Sequence, residues 1–128
     1  MYEFHGWATI SLPEDLDECY EEVSEKIKKW VNKLNKIDNC VFDLRVNNGE
    51  YHVWTAGCKN RRIVIEEELL NFYRFIGQIA PCSYGLLYVL DHGVDQEFKV
   101  YVLVRGQLLE RRDPFLSPFF PVIEDPSE

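Results

Sequence analysis

The chain lacks most of the short patterns that mark common enzymes and cofactor sites. It has no G-x-G-x-x-G or G-x-x-x-x-G-K-[ST] loop to cradle a phosphate, no H-E-x-x-H helix, no EF-hand loop and no G-x-S-x-G elbow. Nucleotide binding and the commonest hydrolytic chemistries lose their main support. The four cysteines, Cys19, Cys40, Cys58 and Cys82, form no C-x-x-C pair that could start a zinc site, so they are read as reduced thiols and neither metal nor cofactor is expected. The opening Met1-Tyr2-Glu3-Phe4-His5 has an early acid and neither a basic region nor an apolar stretch, which predicts no secretory signal and no transit peptide. The longest run without charge, Phe75 to Leu90, is broken by Gln78, Pro81 and Ser83 and falls short of the roughly 20 apolar residues a membrane span needs. A cytoplasmic protein without membrane contact is expected. Basic residues are scarce too: 14 against 22 acidic, a formal charge of -8. Such a field repels a phosphate backbone, so direct nucleic-acid binding is disfavoured, whereas a basic protein partner would be steered in.

What is present is an ordinary core-forming composition. Apolar residues make up 46% and charged residues 28% of 128 residues, which suits one domain, 1–128, with a single core. Residues Tyr2 to Ser11 alternate, with Tyr2, Phe4, Gly6, Ala8 and Ile10 on one face and Glu3, His5, Trp7 and Thr9 on the other. They predict a first strand on which Gly6 and Ala8 let a helix approach closely. Leu16, Tyr20, Val23, Ile27, Trp30, Leu34 and Ile37 then draw one helical stripe, predicting a helix over about residues 15–37.

Asn48-Gly49 lies between two alternating runs and suits the positive φ angles of a two-residue hairpin turn. That turn sets Asn47 opposite Glu50, Arg45 opposite His52, Asp43 opposite Trp54 and Phe42 opposite Thr55. Phe42, Leu44, Val46, Tyr51 and Val53 then share an apolar face, and Asp43, Arg45, His52 and Trp54 the other. Ile65, Leu69, Phe72, Ile76 and Ile79 predict a second helix ended by Pro81, and Tyr84–Leu90 and Phe98–Val104 predict a further strand pair covered on both faces. Pro114, Pro118, Pro121 and Pro126 punctuate a tail, 107–128, whose Phe115, Leu116, Phe119, Phe120, Val122 and Ile123 are too apolar to leave in water. The tail is expected to be ordered and docked on the body. The class is α+β in the order β-α-β-β-α-β-β: a largely antiparallel sheet with two helices packed on one face.

Three features could carry function. Glu14, Asp15, Asp17, Glu18, Glu21, Glu22 and Glu25 run without a basic residue and are followed by lysines. This order complements the helix dipole, and it also presents acids, Glu18, Glu21 and Glu22 among them, to a basic partner. Trp54, set beside Asp43 and His52 rather than in the core, is either covered by Phe119 or Phe120 of the tail or is an interface anchor. The segment with Asp91, Asp95 and Glu97 adds a third acidic group. The histidines His5, His52 and His92 are not arranged as a set by any motif, and a catalytic role would need a nucleophile and an orienting partner as well.

The opening Tyr2-Glu3-Phe4-His5-Gly6-Trp7-Ala8, the middle Ser83-Tyr84-Gly85-Leu86-Leu87-Tyr88-Val89 and the tail Asp113-Pro114-Phe115-Leu116-Ser117-Pro118 through Pro121 to Glu124-Asp125 together resemble the immunity protein 7 family. The resemblance implies a bacterial protein of polymorphic toxin and contact-dependent inhibition systems. Such a protein binds and neutralises a cognate toxin domain inside the producing cell and is not an enzyme. Candidate toxin-binding residues are Trp54, Asp43, His52, Glu18, Glu21, Glu22, Asp91, Asp95 and Glu97, facing a basic toxin surface. The alternatives are a small enzyme using His52 or His92 and a small-ligand module closed by the tail.

Overall fold

The computed structural model describes residues 1–37, 40–60, 62–116 and 118, the side chains of residues 37, 63 and 64 excepted. Strand β1, Tyr2–Ile10, leads through a 3-10 turn, Glu14–Cys19, into helix α1, Tyr20–Ile37. Strands β2, Val41–Asn47, and β3, Glu50–Lys59, follow, then helix α2, Arg62–Ile79, and strands β4, Tyr84–Asp91, β5, Lys99–Val104, and β6, Gln107–Arg112. The six strands form one sheet in the order β2-β3-β1-β4-β5-β6, every pair antiparallel. This is the expected α+β class with one strand more.

The hairpin has the register the turn dictates. Asn48 and Gly49 take φ of 54° and 81°, and Asn47 pairs with Glu50, Asp43 with Trp54 and Phe42 with Thr55. The helices pack on the face carrying Phe42, Leu44, Tyr51 and Val53. Tyr20 of α1 stacks on Tyr51 at 5.9 Å, and Phe72 of α2 meets Phe42 edge-on at 6.2 Å. Trp30 of α1 lies against Phe72 and Phe75 of α2, which closes the helical layer.

Gly6 is where that layer meets the central strand. A Cβ at Gly6 would collide with the Tyr73 hydroxyl and would lie 2.7 Å from Thr55 Oγ1 and 2.8 Å from Leu87 Cδ1. The vacated space holds the fully buried Tyr73 ring of α2, whose hydroxyl is 2.9 Å from Thr55 Oγ1. The close approach expected at Gly6 is therefore made by one tyrosine.

Three expectations are corrected. The first helix does not start at residue 15: Leu16 has φ -114° and ψ 17°, and its N–H bonds to the Pro13 carbonyl at 2.9 Å in 3-10 fashion. Like charges at Glu14, Asp15, Asp17 and Glu18 crowd each other at helical spacing, so regular α-helix begins only at Tyr20, and Leu16 is left exposed. Residues 107–112, placed in the tail, are strand β6. They contain no proline, and Arg105 and Gly106, at φ 51° and 74°, make a two-residue turn that folds them back on β5. Third, the outer face of β4 and β5 is covered at one end only: Leu90 and Val100 are buried there with Phe98, which packs on His5 and Tyr88, whereas Tyr84 is 50% exposed and Leu86 and Val102 are half-buried.

Beyond β6, Phe115 is 79% exposed and Leu116 is exposed as well. Phe119, Phe120, Val122 and Ile123, on which the expected docking turned, lie outside the described residues.

Adding a methyl at Gly6 must displace the Tyr73 ring or the strand. Gly6→Ala should therefore cost about 2 kcal/mol or more, in the range of overpacked cores. Tyr73→Phe, which leaves Thr55 without its buried partner, should cost about 1 to 3 kcal/mol. Urea denaturation of both variants checks the order of effects, and a Gly6→Ala protein as stable as the parent would show that the seat is not tight.

Candidate protein-binding face

With both helices on one side, the opposite side of the sheet carries Asp43, Arg45, His52, Trp54, Glu3, His5, Trp7, Thr9 and the outward residues of β4 to β6. The strand registers align them into rows. Asp43 pairs with Trp54, Trp54 with Trp7, Trp7 with Leu86, Leu86 with Val102 and Val102 with Leu109, so one row crosses all six strands. The row beside it runs Arg45, His52, Thr9, Tyr84.

Trp54 is 43% and Trp7 37% exposed. Each is held by a neighbour: His52 lies against Trp54 at 5.5 Å, and Tyr84 meets Trp7 edge-on at 6.2 Å. Thr9 Oγ1, 3.1 Å from His52 Nδ1, fixes that imidazole in turn. Two large aromatics on paired strands, orientationally restrained and half in water, form a contiguous apolar surface of the kind that marks protein interaction sites. Asp43 sits at its rim and is bonded by Arg45 Nε at 2.7 Å.

At the other end of this face two of the three histidines share one carboxylate, an arrangement that no motif announces. Glu3 Oε2 lies 2.7 Å from His5 Nε2, and Glu3 Oε1 lies 2.7 Å from His92 Nε2. An ionised carboxylate only accepts, so both rings donate from Nε2. The contact with His5, and then that with His92, hold the Glu3 carboxyl below its ordinary range against the opposing effect of burial. The pairing ties the β4–β5 connection to β1, as does the bond from the His92 N–H to the Met1 carbonyl at 2.8 Å. No signal in the sequence joins residues 3 and 92. His52 stands apart from this cluster. Among the described residues no group of histidine, cysteine and carboxylate side chains could hold a metal ion. Burial also keeps the phenols of Tyr2 and Tyr73 protonated and pushes Tyr101 up to about 12, so none of the three is an available base at neutral pH.

The remaining acids named from the sequence lie elsewhere. Glu18 lies in the 3-10 turn and Glu21 and Glu22 in the first turn of α1, in the helical layer across the sheet from Trp54, with Glu22 Oε1 3.6 Å from Lys26 Nζ. Asp91 faces Arg62 at 3.7 Å, Asp95 accepts the Asp91 N–H at 2.9 Å, and Glu97 pairs with Arg112 at 2.8 Å. The open face thus gathers Trp54, Asp43 and His52 and separates them from Glu18, Glu21 and Glu22. Trp7, Leu86 and Tyr84 were not singled out in the sequence. Alternation places Trp7 outward, but its pairing with Trp54 follows from β3 lying next to β1, which no local pattern dictates.

A model of the Immunity protein 7 family matches residues 1–125. The chain belongs to the Immunity protein 7 family. No curated protein and no solved structure matches it. In this family member no helix among the described residues is long and apolar enough to cross a membrane.

The Glu3 contacts set a pH dependence. A carboxyl whose folded value lies below its ordinary 4.5 contributes stability that is complete above that value and is lost as pH falls through the lowered one. Glu3→Gln should cost about 1 kcal/mol near pH 6, since the side chain is partly exposed. The gap from the parent should close as the medium is acidified below 4.5. Denaturation at a series of pH values reads this directly, and a gap independent of pH would contradict it.

Proposed function

We propose that this protein binds a cognate bacterial toxin domain and neutralises it by occlusion, protecting the producing cell in a polymorphic toxin or contact-dependent inhibition system. It does so as a cytoplasmic binding protein and not as an enzyme. Family membership supports the immunity role, and the observation that carries the contact surface is the Trp54–Trp7 pair on an uncovered sheet face. A tryptophan pair ringed by Asp43, Arg45, His52 and Tyr84 has the composition of an interface centre: aromatic anchors that lose water on binding, with charges at the rim.

The acidic groups have a different part. With a formal charge of -8 the molecule attracts a basic toxin surface from a distance. Glu18, Glu21 and Glu22 lie across the sheet from Trp54, so a toxin seated on the open face meets their field at encounter without packing on them. Asp91 turns to Arg62 of α2 and Glu97 to Arg112, so these acids and Asp95 likewise add to the field without lining the open face. The histidine–carboxylate cluster gives the enzymatic reading little to build on, because both Glu3 oxygens are engaged by His5 and His92 and His52 is bonded to Thr9.

The test uses the cognate toxin domain, sought among the products of neighbouring genes. Co-expression should protect cells against that toxin and not against unrelated ones. Trp54→Ala should speed dissociation about 30-fold, a hot-spot loss, with association unchanged. Reversing Glu18, Glu21 and Glu22 to Lys should instead slow association up to about tenfold at low salt and less at high salt. If neither variant changes binding while both stay folded, this placement of the interface is wrong. Turnover of a metabolite that a folded His52 or His92 variant loses would overturn the inhibitor reading itself.

A further inference from the structure

Each end of an open sheet exposes a row of backbone donors and acceptors, and here the two ends are treated differently. At β6 the exposed edge is crowded by Glu110, Arg111 and Arg112 and is followed by Asp113-Pro114, features that discourage strand addition. At β2 a side chain of α1 blocks part of the edge: Asn35 Nδ2 donates to the Phe42 carbonyl at 2.7 Å, and Asn35 Oδ1 accepts the Phe42 N–H at 3.1 Å. An asparagine bonding both groups of one residue imitates a neighbouring strand. It also shows that the Phe42 backbone groups point away from β3.

Strand alternation then makes Leu44 and Val46 the next residues whose N–H and C=O point outward. The bonds to β3 fall on Asp43, Arg45 and Asn47, consistent with Asn47 and Glu50 closing the two-residue turn. Among the described residues no side chain plugs Leu44 or Val46 as Asn35 plugs Phe42. Directly beneath this unplugged stretch a groove of about 220 Å³ opens between α1 and the hairpin, lined by Ser24, Glu25, Lys28, Leu44, Val46 and Tyr51. Val46, whose side chain points to the helical side, is 59% exposed because α1 does not reach over it.

We propose that the β2 edge at Leu44–Val46 accepts an extended strand from a protein partner, whose sequence at the contact is an acidic residue between two apolar ones. The residues facing Leu44 and Val46 direct their side chains to the helical side, into the groove and against Leu44, Val46 and Tyr51. The residue facing Arg45 lies on the outer face, where the guanidinium is 72% exposed and, bonded to Asp43 through Nε, keeps its terminal N–H donors for a second carboxylate. A carboxylate there complements Arg45. A second copy of this chain does not: the antiparallel pairing that bonds Leu44 to Val46 of another copy sets Arg45 opposite Arg45, and like charges directly opposed destabilise a strand pair. The partner is therefore a different protein, bound by strand addition with side-chain pockets for specificity. The inference shares Arg45 with the open face, but its backbone bonds lie at the sheet edge and its apolar contacts on the helical side.

The probe is the capped pentapeptide Thr-Val-Glu-Val-Thr, titrated to millimolar concentration into the intact labelled protein and followed by amide NMR. Shifts should concentrate at residues 44 to 46 and around the groove at Ser24 and Lys28. Val46→Pro removes an N–H that faces outward, so β2 keeps its bonds to β3. That variant should retain the parent spectrum elsewhere and lose the peptide response. Arg45→Glu should weaken this peptide about fivefold and reverse the preference toward Thr-Val-Lys-Val-Thr, a readout independent of how Val46→Pro folds. Absence of shifts at millimolar peptide, shifts on the Trp54 face instead, or Arg45→Glu without a change of preference would each overturn the proposal. So would a protein that sediments as a dimer and becomes monomeric on Val46→Pro, which would assign the edge to self-association.

Discussion

The seat of Tyr73 over Gly6 decides which side of the sheet is the inside. β1 lies between β3 and β4, and Gly6 is the point at which it lets a helix side chain reach the backbone, with Thr55 of β3 satisfying the buried hydroxyl. Because that hydroxyl is fully buried, leaving it unpaired would be costly, so helix position, strand pairing and the glycine depend on one another. Gly85, paired with Ala8 on the other side of β1, applies the same rule: a Cβ there would run into the Trp7 carbonyl. Small residues at two points of the central strands thus set how closely a helix side chain and a neighbouring strand approach β1.

A sheet whose helices all lie on one side leaves the other side to be explained. Antiparallel sheets commonly turn one face to water, and that face is then usually polar. Here it carries Trp7, Trp54, Tyr84, Leu86 and Val102 in adjoining rows. The face is not apolar throughout. Asp43 and Arg45 border it at one end and the Glu3–His5–His92 cluster at the other, so an aromatic centre lies between charged ends. This arrangement suits a protein that must remain dispersed until its partner arrives and then hold it. Charge governs the approach, and desolvation of the two indoles governs the hold.

Much of this was legible in the sequence, and the parts that were not have physical reasons. The β2–β3 register followed from Asn48-Gly49 because a two-residue turn leaves no freedom in the pairing. The α1 stripe predicted the buried Val23, Ile27 and Leu34, while Leu16 escaped because periodicity does not register repulsion among neighbouring acids. Strand β6 was hidden by its turn: arginine rarely takes the positive φ of Arg105, so no turn signal announced it. Alternation put Trp54 and Trp7 on outward faces separately. That they stand side by side depends on strand order, and that Glu3 meets His92 depends on how β4 returns along β1. Both are long-range facts.

The most direct measurement of the central claim follows the three tryptophan indole N–H signals by NMR as the cognate toxin domain is added. Trp7 and Trp54 lie on the open face, and Trp30 is packed against Phe72 and Phe75 in the helical layer. Binding to the open face predicts that the Trp7 and Trp54 signals shift or broaden together while Trp30 keeps its position. A toxin that moves the Trp30 signal and leaves Trp7 and Trp54 unchanged would place the interface on the helices and contradict the account.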